Sequence, residues 1–497
     1  LQSILCDFCL FPPMAIVSLA LGSALSYPDA DFSPCESFPE TPFADVSPQN
    51  GVYESVRRAL QYSGADAAHF DTPEWNPLGE WIQPGERVFV LPNFVAHQRP
   101  EQSRDDFLAK CTHASFLRPV LDYIYLANRD WNRIGFGNAP IQSCDYTRLA
   151  QEIGTDKLAA FYQKHTGAHL GPHDLRGVVT QWTRYGALTD KQETNEEQVE
   201  IDLGTDSWLD EHFQKDPKVA VRVGDYDPAE TDSYHAPGKH IYVVNRRVLE
   251  ADVIVSAPKL KTHQKVGITC ALKGTVGAIA KKECLAHHRK GGPGHGGDEF
   301  RGSSPVHQFA SHITDWAAGA GNDVVSNGVR VAGKVLYRAL RQGDGIVGGA
   351  WHGNDTAWRM ALDIARVLRF ARLDGTLADT PQRRHLAFVD GIVAGEDEGP
   401  LTPKARHVGA VLFSPDICAA DEACARLMGF EPSRLAIVQQ SWSPIRYPLT
   451  EESSADTQYL LNGEAISAKA LLHVLESPFV PPKGWVGMIE RANFSRA

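Results

Sequence analysis

Short apolar runs alternate along this chain with amphipathic stretches, and the alternation predicts its elements. From Met14, the run Ala-Ile-Val-Ser-Leu-Ala-Leu-Gly reads as a first buried strand. Val52 to Leu60 carries apolar residues at helical spacing. Gln83-Pro-Gly-Glu is a turn leading into the strand Arg87-Val-Phe-Val-Leu, which ends at Pro92-Asn93. Phe116 to Ala127 repeats the i, i+3, i+4 pattern of a helix, and Ile134-Gly-Phe-Gly is a short strand giving onto Asn138-Ala-Pro. Leu149 to His165 predicts a helix. Ala251-Asp-Val-Ile-Val-Ser-Ala reads as a buried strand stopped at Pro258, because proline restricts the residue before it. Further on, His307 to Arg341, Ala357 to Phe370 and Ile417 to Met428 predict helices. Arg384 to Val389 and Val408 to Ser414 predict strands, the first ending in Asp390-Gly391.

Strands and helices taken in turn predict an α/β fold: a central, mostly parallel sheet with flanking helices and a peripheral insertion. The expected divisions are 1–13 as upstream or non-native residues, 14–148 as an N-terminal α/β part and 149–250 as the charged, turn-rich insertion. Residues 251–440 form a second α/β part, and 441–497 a tail packed on the body. Ligands of parallel sheets gather at the carboxyl ends of strands, which puts Asn93 and Asn138 where a site can form.

Composition narrows the partners. A chain of 497 residues with 43% hydrophobic and 22% charged side chains is an ordinary folded protein too long for one small core. A net charge of −12 argues against nucleic acid or a membrane surface as a general partner, since both are polyanionic. Any anion must then be held by a local basic patch. Nine scattered cysteines argue against a disulfide framework and for a reducing compartment. Cys6 and Cys9 form a CxxC with no second pair at cluster spacing, which argues against an iron–sulfur cluster. Ile4 to Leu25 is apolar but broken by Asp7 and Pro12-Pro13, a poor leader and a poor membrane span, so the expected location is the cytoplasm.

The basic patch exists. Between Pro258 and Arg301 nine Lys or Arg face three Asp or Glu, and four of the nineteen histidines fall there: His263, His287, His288 and His295. The opening Pro258-Lys-Leu-Lys-Thr-His reads as a turn after a strand, offering Lys259, Lys261, Thr262 and His263 to an anion. Gly267, Gly274 and Gly277 allow close approach to the backbone. Neither a Walker loop nor a dinucleotide fingerprint fits the glycine spacing. Leu285 to Glu299 is a His-rich, Gly-rich loop, expected to act as a lid or to ligate a divalent metal through His287, His288, Asp298 and Glu299. Asp390-Gly-Ile-Val-Ala-Gly-Glu-Asp-Glu-Gly-Pro, with Asp390 and Glu396 or Glu398, would orient a substrate or a metal. Thr112-His113, Asn354-Asp355 and Arg359 are lesser candidates, each readable as structural.

Taken together these motifs resemble the family catalogued as domain of unknown function 362, in its longer members without a ferredoxin module. The resemblance rests on Asp252 to Gly277, Val90-Leu-Pro-Asn-Phe-Val, Thr112-His113, Gly137-Asn-Ala-Pro, the His-His-Arg loop and Asp390 to Pro400. Four positions depart from the pattern: Leu91 stands for Lys, Asn138 for an Asp, Gly274 for Asn and Ala286 for Pro. The second removes a carboxylate. A more distant likeness, Gly267-x-Thr269-x-x-x-Lys273, is to nickel-pincer lactate racemases and would make Lys273 a cofactor anchor.

The leading expectation is an enzyme binding a small carboxylated or phosphorylated molecule, with Lys259, Lys261 and Lys273 holding the anion. His263 and His288 would serve as acid–base groups, and Asn93, His113, Asn138 and Asp390 would complete the site. The alternatives are a metal-cofactor racemase or epimerase and a non-catalytic carrier or assembly factor.

Overall fold

The computed structural model describes residues 15–22, 24–28, 32–183, 188–224, 226–343 and 346–491. Residues 1–13, with Cys6 and Cys9, lie outside them. One large sheet dominates the described residues. Its strands in chain order are β1 (Ile16–Leu21), β2 (Val88–Pro92), β3 (Ile134–Asn138), β4 (His173–Asp174), β5 (Val253–Ala257), β6 (Lys259–His263), β7 (Gly267–Ile268), β8 (Arg384–Glu396), β9 (Lys404–Ser414), β10 (Gln458–Leu461) and β11 (Glu464–Ile466). Across the sheet the order is β11-β10-β1-β9-β8-β5-β2-β3-β4, with β6 also beside β8 and β7 beside β6. Strand β5 runs parallel to β2 and β8, β2 to β3, β3 to β4, β6 to β8 and β1 to β10. The antiparallel pairs are β9 with β1 and β8, β6 with β7 and β10 with β11. The sheet is therefore mixed and mostly parallel, as the alternation of elements predicts.

Five helices matter for the site: α1 (Val52–Tyr62), α2 (Ala114–Asn128), α3 (Cys270–Gly274), α4 (Ala357–Phe370) and α5 (Ile417–Leu427). The central strand β5 is buried at every position because helices cover both faces. Val253 and Val255 share a core with Val56 of α1 and Val120 of α2, whereas Ile254 packs in the opposite layer with Met360 and Ile364 of α4. Helix α5 adds a further core with Val17 and Leu19 of β1.

Three local expectations are corrected. The predicted helix 149–165 is two helices, Tyr146–Ile153 and Thr155–Thr166, parted at Gly154 with φ +78°. The predicted helix 307–341 is also two, Pro305–Gly319 and Val324–Gly343, and Arg330 of the second donates to the carbonyls of Ala317 (3.0 Å) and Gly321 (2.9 Å) at the end of the first. Most consequential, Lys259 to His263 is a buried strand and not a turn. Strand β8 has 13 residues, and β5 pairs only with its first part, up to Ala387. Pro258 has no N–H to continue the ladder, but its carbonyl accepts from Asp390 N (2.8 Å), and the chain resumes pairing along the same edge. Lys259 then lies opposite Asp390 and Lys261 opposite Gly395, with a bulge between them.

Candidate functional site

Three parallel strands end on one side of the sheet: β2 delivers Asn93, β3 ends in Asn138, and β5 passes through Pro258 into β6. A cavity of about 350 Å³ opens there, within the size range of small-ligand sites. Its floor comes from β6 and from the segment around α3: Lys261, His263, Thr269, Lys273, Gly274 and Gly277. Helix α3 is fixed by Asp421 of α5, whose carboxylate accepts from the N–H groups of Ala271 (2.6 Å) and Leu272 (3.2 Å). Gly277 lies against the Asn138 amide, and a Cβ there would stand 2.0 Å from Nδ2. Only glycine leaves that amide free to donate to the Pro92 carbonyl (2.6 Å).

The cavity wall is cationic. Arg99, Lys261, Lys265, Lys273 and Lys282 line it together with His263 and His287, and among the described residues no Asp or Glu lines it. Lys261 Nζ donates to Asn93 Oδ1 (3.0 Å) and to the Lys110 carbonyl (2.7 Å), and Lys282 Nζ to the carbonyls of Ile279 (3.0 Å) and Val276 (3.4 Å). Lys273 has no hydrogen-bond or ion-pair partner among the described residues. Burial pulls all three ammonium groups down to about 7, and for Lys273 the charges of Lys282, Lys265 and Lys261 add to it. Burial, reinforced by Lys273, Lys261 and Lys265, holds His263 well below the usual imidazole range, and its Nδ1 accepts from the Lys265 N–H (3.1 Å). Its one proton is therefore on Nε2. His287 is likewise held neutral by burial and then by Lys273. Two buried polar atoms of the lining, Thr269 Oγ1 and His287 Nδ1, have no hydrogen-bond partner.

Of the residues expected to share a site, Asn93, Asn138, Lys261, His263, Lys273 and His287 line this cavity. The others lie elsewhere. Lys259 is fully buried beside Asp390 (3.2 Å) and donates to the Tyr27 hydroxyl (2.5 Å), which in turn donates to Asp390. His113 stacks on Tyr27 with ring centroids 4.9 Å apart, and burial pushes it down to about 3. Thr262 donates to the Asp397 carbonyl (2.8 Å), and Glu396 pairs with Arg406 (3.1 Å). Lys259, Thr262, His113, Asp390 and Glu396 thus have structural partners instead of a place on the cavity wall.

The adjacent histidines point apart, as successive strand residues do. His288 lines a neighbouring cavity of about 310 Å³ with Glu299, next to the first along Gln264 and Lys265. The expected metal ligands have other employment. Asp298 accepts from Arg289 N (2.6 Å) and Thr356 Oγ1 (2.6 Å), and Glu299 from Gly291 N (3.0 Å) and Ser311 Oγ (2.5 Å). These bonds tie down the His-rich segment. Among the described residues no group of three or more His, Cys, Asp or Glu side chains is placed to hold a metal ion.

Sequence pattern does not single out Arg99, Trp182, Thr269 or Lys282. For Lys282 the signal was the local excess of basic residues, and for Thr269 its place in the Gly-x-Thr spacing. Arg99 and Trp182 come from distant segments and carry no local mark.

These features define an α/β protein with a cationic cavity at the carboxyl ends of its parallel strands. The family model described as "Domain of unknown function (DUF362)" matches residues 162–426, a little over half of the chain, and the chain belongs to that family. No curated protein and no solved structure matches it, so the likeness to nickel-pincer lactate racemases gains no support. Among the described residues no helix is long and apolar enough to cross a membrane.

Proposed function

We propose that this protein is an enzyme that binds a small anionic substrate in the Lys261–Lys273–Lys282 cavity. Lys273 exchanges a proton with the substrate, and His263 Nε2–H donates a hydrogen bond to it. One observation carries the reading: five cationic side chains and two imidazoles surround one cavity that no carboxylate lines among the described residues, in a chain of net charge −12. Buried ammonium groups without counter-charge are costly. A bound anion supplies that charge through charge-assisted hydrogen bonds. Lys273 has no competing partner, and a group titrating at about 7 is matched to proton transfer at neutral pH. His263, kept neutral and fixed in one tautomer, suits a donor to substrate oxygen better than a general base.

Thermal unfolding in acetate, phosphate and pyrophosphate, for the native protein and Lys273→Met, tests the reading. An anion at a hundredfold its Kd should add about 2.7 kcal/mol to the native protein and much less to the variant. If none of the three stabilises the native protein more than the variant, the reading is wrong.

A further inference from the structure

We infer that the substrate is a phosphoryl compound with an apolar or aromatic body, its phosphoryl group at the lysines and its body against Trp182. This deepens the anion-binding reading and rests on it. Two features of the cavity carry it: the number of its buried donors, and the apolar and aromatic side chains that share its lining.

Lys261 is fully buried, and Lys273, Lys282, His263 and Thr269 are each less than 9% exposed. Lys261 and Lys282 each spend two N–H groups on protein oxygens and keep one, whereas Lys273 keeps all three when charged. Thr269 Oγ1 and His263 Nε2 add one each. These donors outnumber the roughly four acceptor positions of a carboxylate, and one negative charge leaves most of the ammonium charge unopposed. A phosphoryl group brings three acceptor oxygens and close to two charges near neutral pH, and a diphosphate brings more of both. The donor set therefore fits phosphoryl oxygens better than a lone carboxylate.

The same lining carries apolar side chains that are not fully buried: Val95, Ile141, Val223 and Leu401 are partly exposed, and Trp182 is 44% exposed. Large exposed aromatics at a cavity mouth mark contact with a partner, and an indole face suits a flat or apolar group. A free inorganic ion would leave these side chains without a role.

The phosphoryl assignment also fixes a proton linkage. Without ligand at pH 8, lysines at about 7 are mostly neutral. A dianion stabilises their charged forms, so binding must take up protons and weaken as pH rises from 7.5 to 9. Phenyl phosphate is the probe for this linkage, because a monoester's second ionisation lies near 6 and its own charge is nearly constant over that window.

Isothermal titration of the full chain at pH 8, in two buffers of different ionisation enthalpy, reads affinity and proton uptake together. The probes are acetate, orthophosphate, pyrophosphate and phenyl phosphate. Expected are at least tenfold tighter binding of orthophosphate and pyrophosphate than of acetate, net proton uptake, and about fivefold tighter binding of phenyl phosphate than of orthophosphate. Trp182→Ala should erase that last gain while leaving orthophosphate affinity unchanged. Acetate binding as tightly as phosphate overturns the phosphoryl assignment but leaves the anion reading intact. Phenyl phosphate binding no better than orthophosphate, or a Trp182→Ala variant that keeps the gain, overturns the apolar body. No binding of any probe overturns both readings.

Discussion

Lys259 and Lys261 stand two residues apart on the same buried strand, yet they answer the problem of a buried charge in opposite ways. Lys259 lies beside Asp390 and the Tyr27 hydroxyl, away from the cavity, and completes an internal ion pair. Lys261 leans on neutral oxygens only, those of Asn93 and Lys110, and joins Lys273 and Lys282 in a cavity that no carboxylate lines among the described residues. The bulge between them separates the two, because it advances the pairing from Asp390 to Gly395 while the chain advances two residues. A charge neutralised from within serves the fold. A cluster left un-neutralised calls for a counter-charge from outside.

The contrast can be broken by mutation. The largest effect expected is for Asp390→Ala, which strands the buried Lys259 charge and should cost about 3–5 kcal/mol in urea unfolding. A near-neutral result would mean that the pair is not what stabilises that half of β8. Lys273→Met should do the reverse and stabilise the ligand-free protein by about 2 kcal/mol or more at pH 6. The sign follows from linkage. A lysine whose folded pKa of about 7 lies below its unfolded value destabilises fully below pH 7 and progressively less above it. The gain from Lys273→Met should therefore shrink as pH rises from 7 toward 10. A loss of stability at pH 6 would show that Lys273 has a hidden structural role.

Smaller changes sharpen the comparison. Asn138→Asp would put a carboxylate into the cavity wall. It should weaken pyrophosphate at least tenfold, about 1.4 kcal/mol, with the calorimeter as judge. Smallest is Thr269→Val. Its hydroxyl is buried without a partner, so losing it should change stability by no more than about 1 kcal/mol in either direction, while orthophosphate affinity drops severalfold. If stability falls steeply and affinity holds, Thr269 belongs to the fold and not to the site.

Much of the fold was legible in the sequence. Apolar runs such as Val253-Ile-Val and the helical spacing of Val52 to Leu60 report burial directly, and burial is what periodicity encodes. The grouping of these candidates was partly legible too, since Asn93, Asn138, Lys261, His263, Lys273 and His287 line one cavity. The partition of the motif was not. Lys-x-Lys gives no hint that one lysine faces an aspartate 131 positions further on, because that pairing is made by β8 and a bulge. Asp298 and Glu299 misled in the same way: carboxylates on a Gly-rich loop look like metal ligands until their backbone and hydroxyl partners are known. Trp182 and Arg99 reach the cavity by tertiary folding alone.

The position of β5 between β2 and β8 has a practical consequence for anyone wishing to move this chemistry to another host. Residues 162–426 contain the lysines but neither β2 nor β3, and so neither Asn93 nor Asn138. Grafted alone, that stretch would carry its positive charges into a new setting without the surface that organises them. At the other side of the sheet, Ile16 to Leu19 pair in parallel with Gln458 to Leu461, binding segments some 440 positions apart into neighbouring strands. The portable unit is thus no cassette that can be excised along the sequence. It is a woven fabric, and a cut between residues 161 and 162 severs the weave.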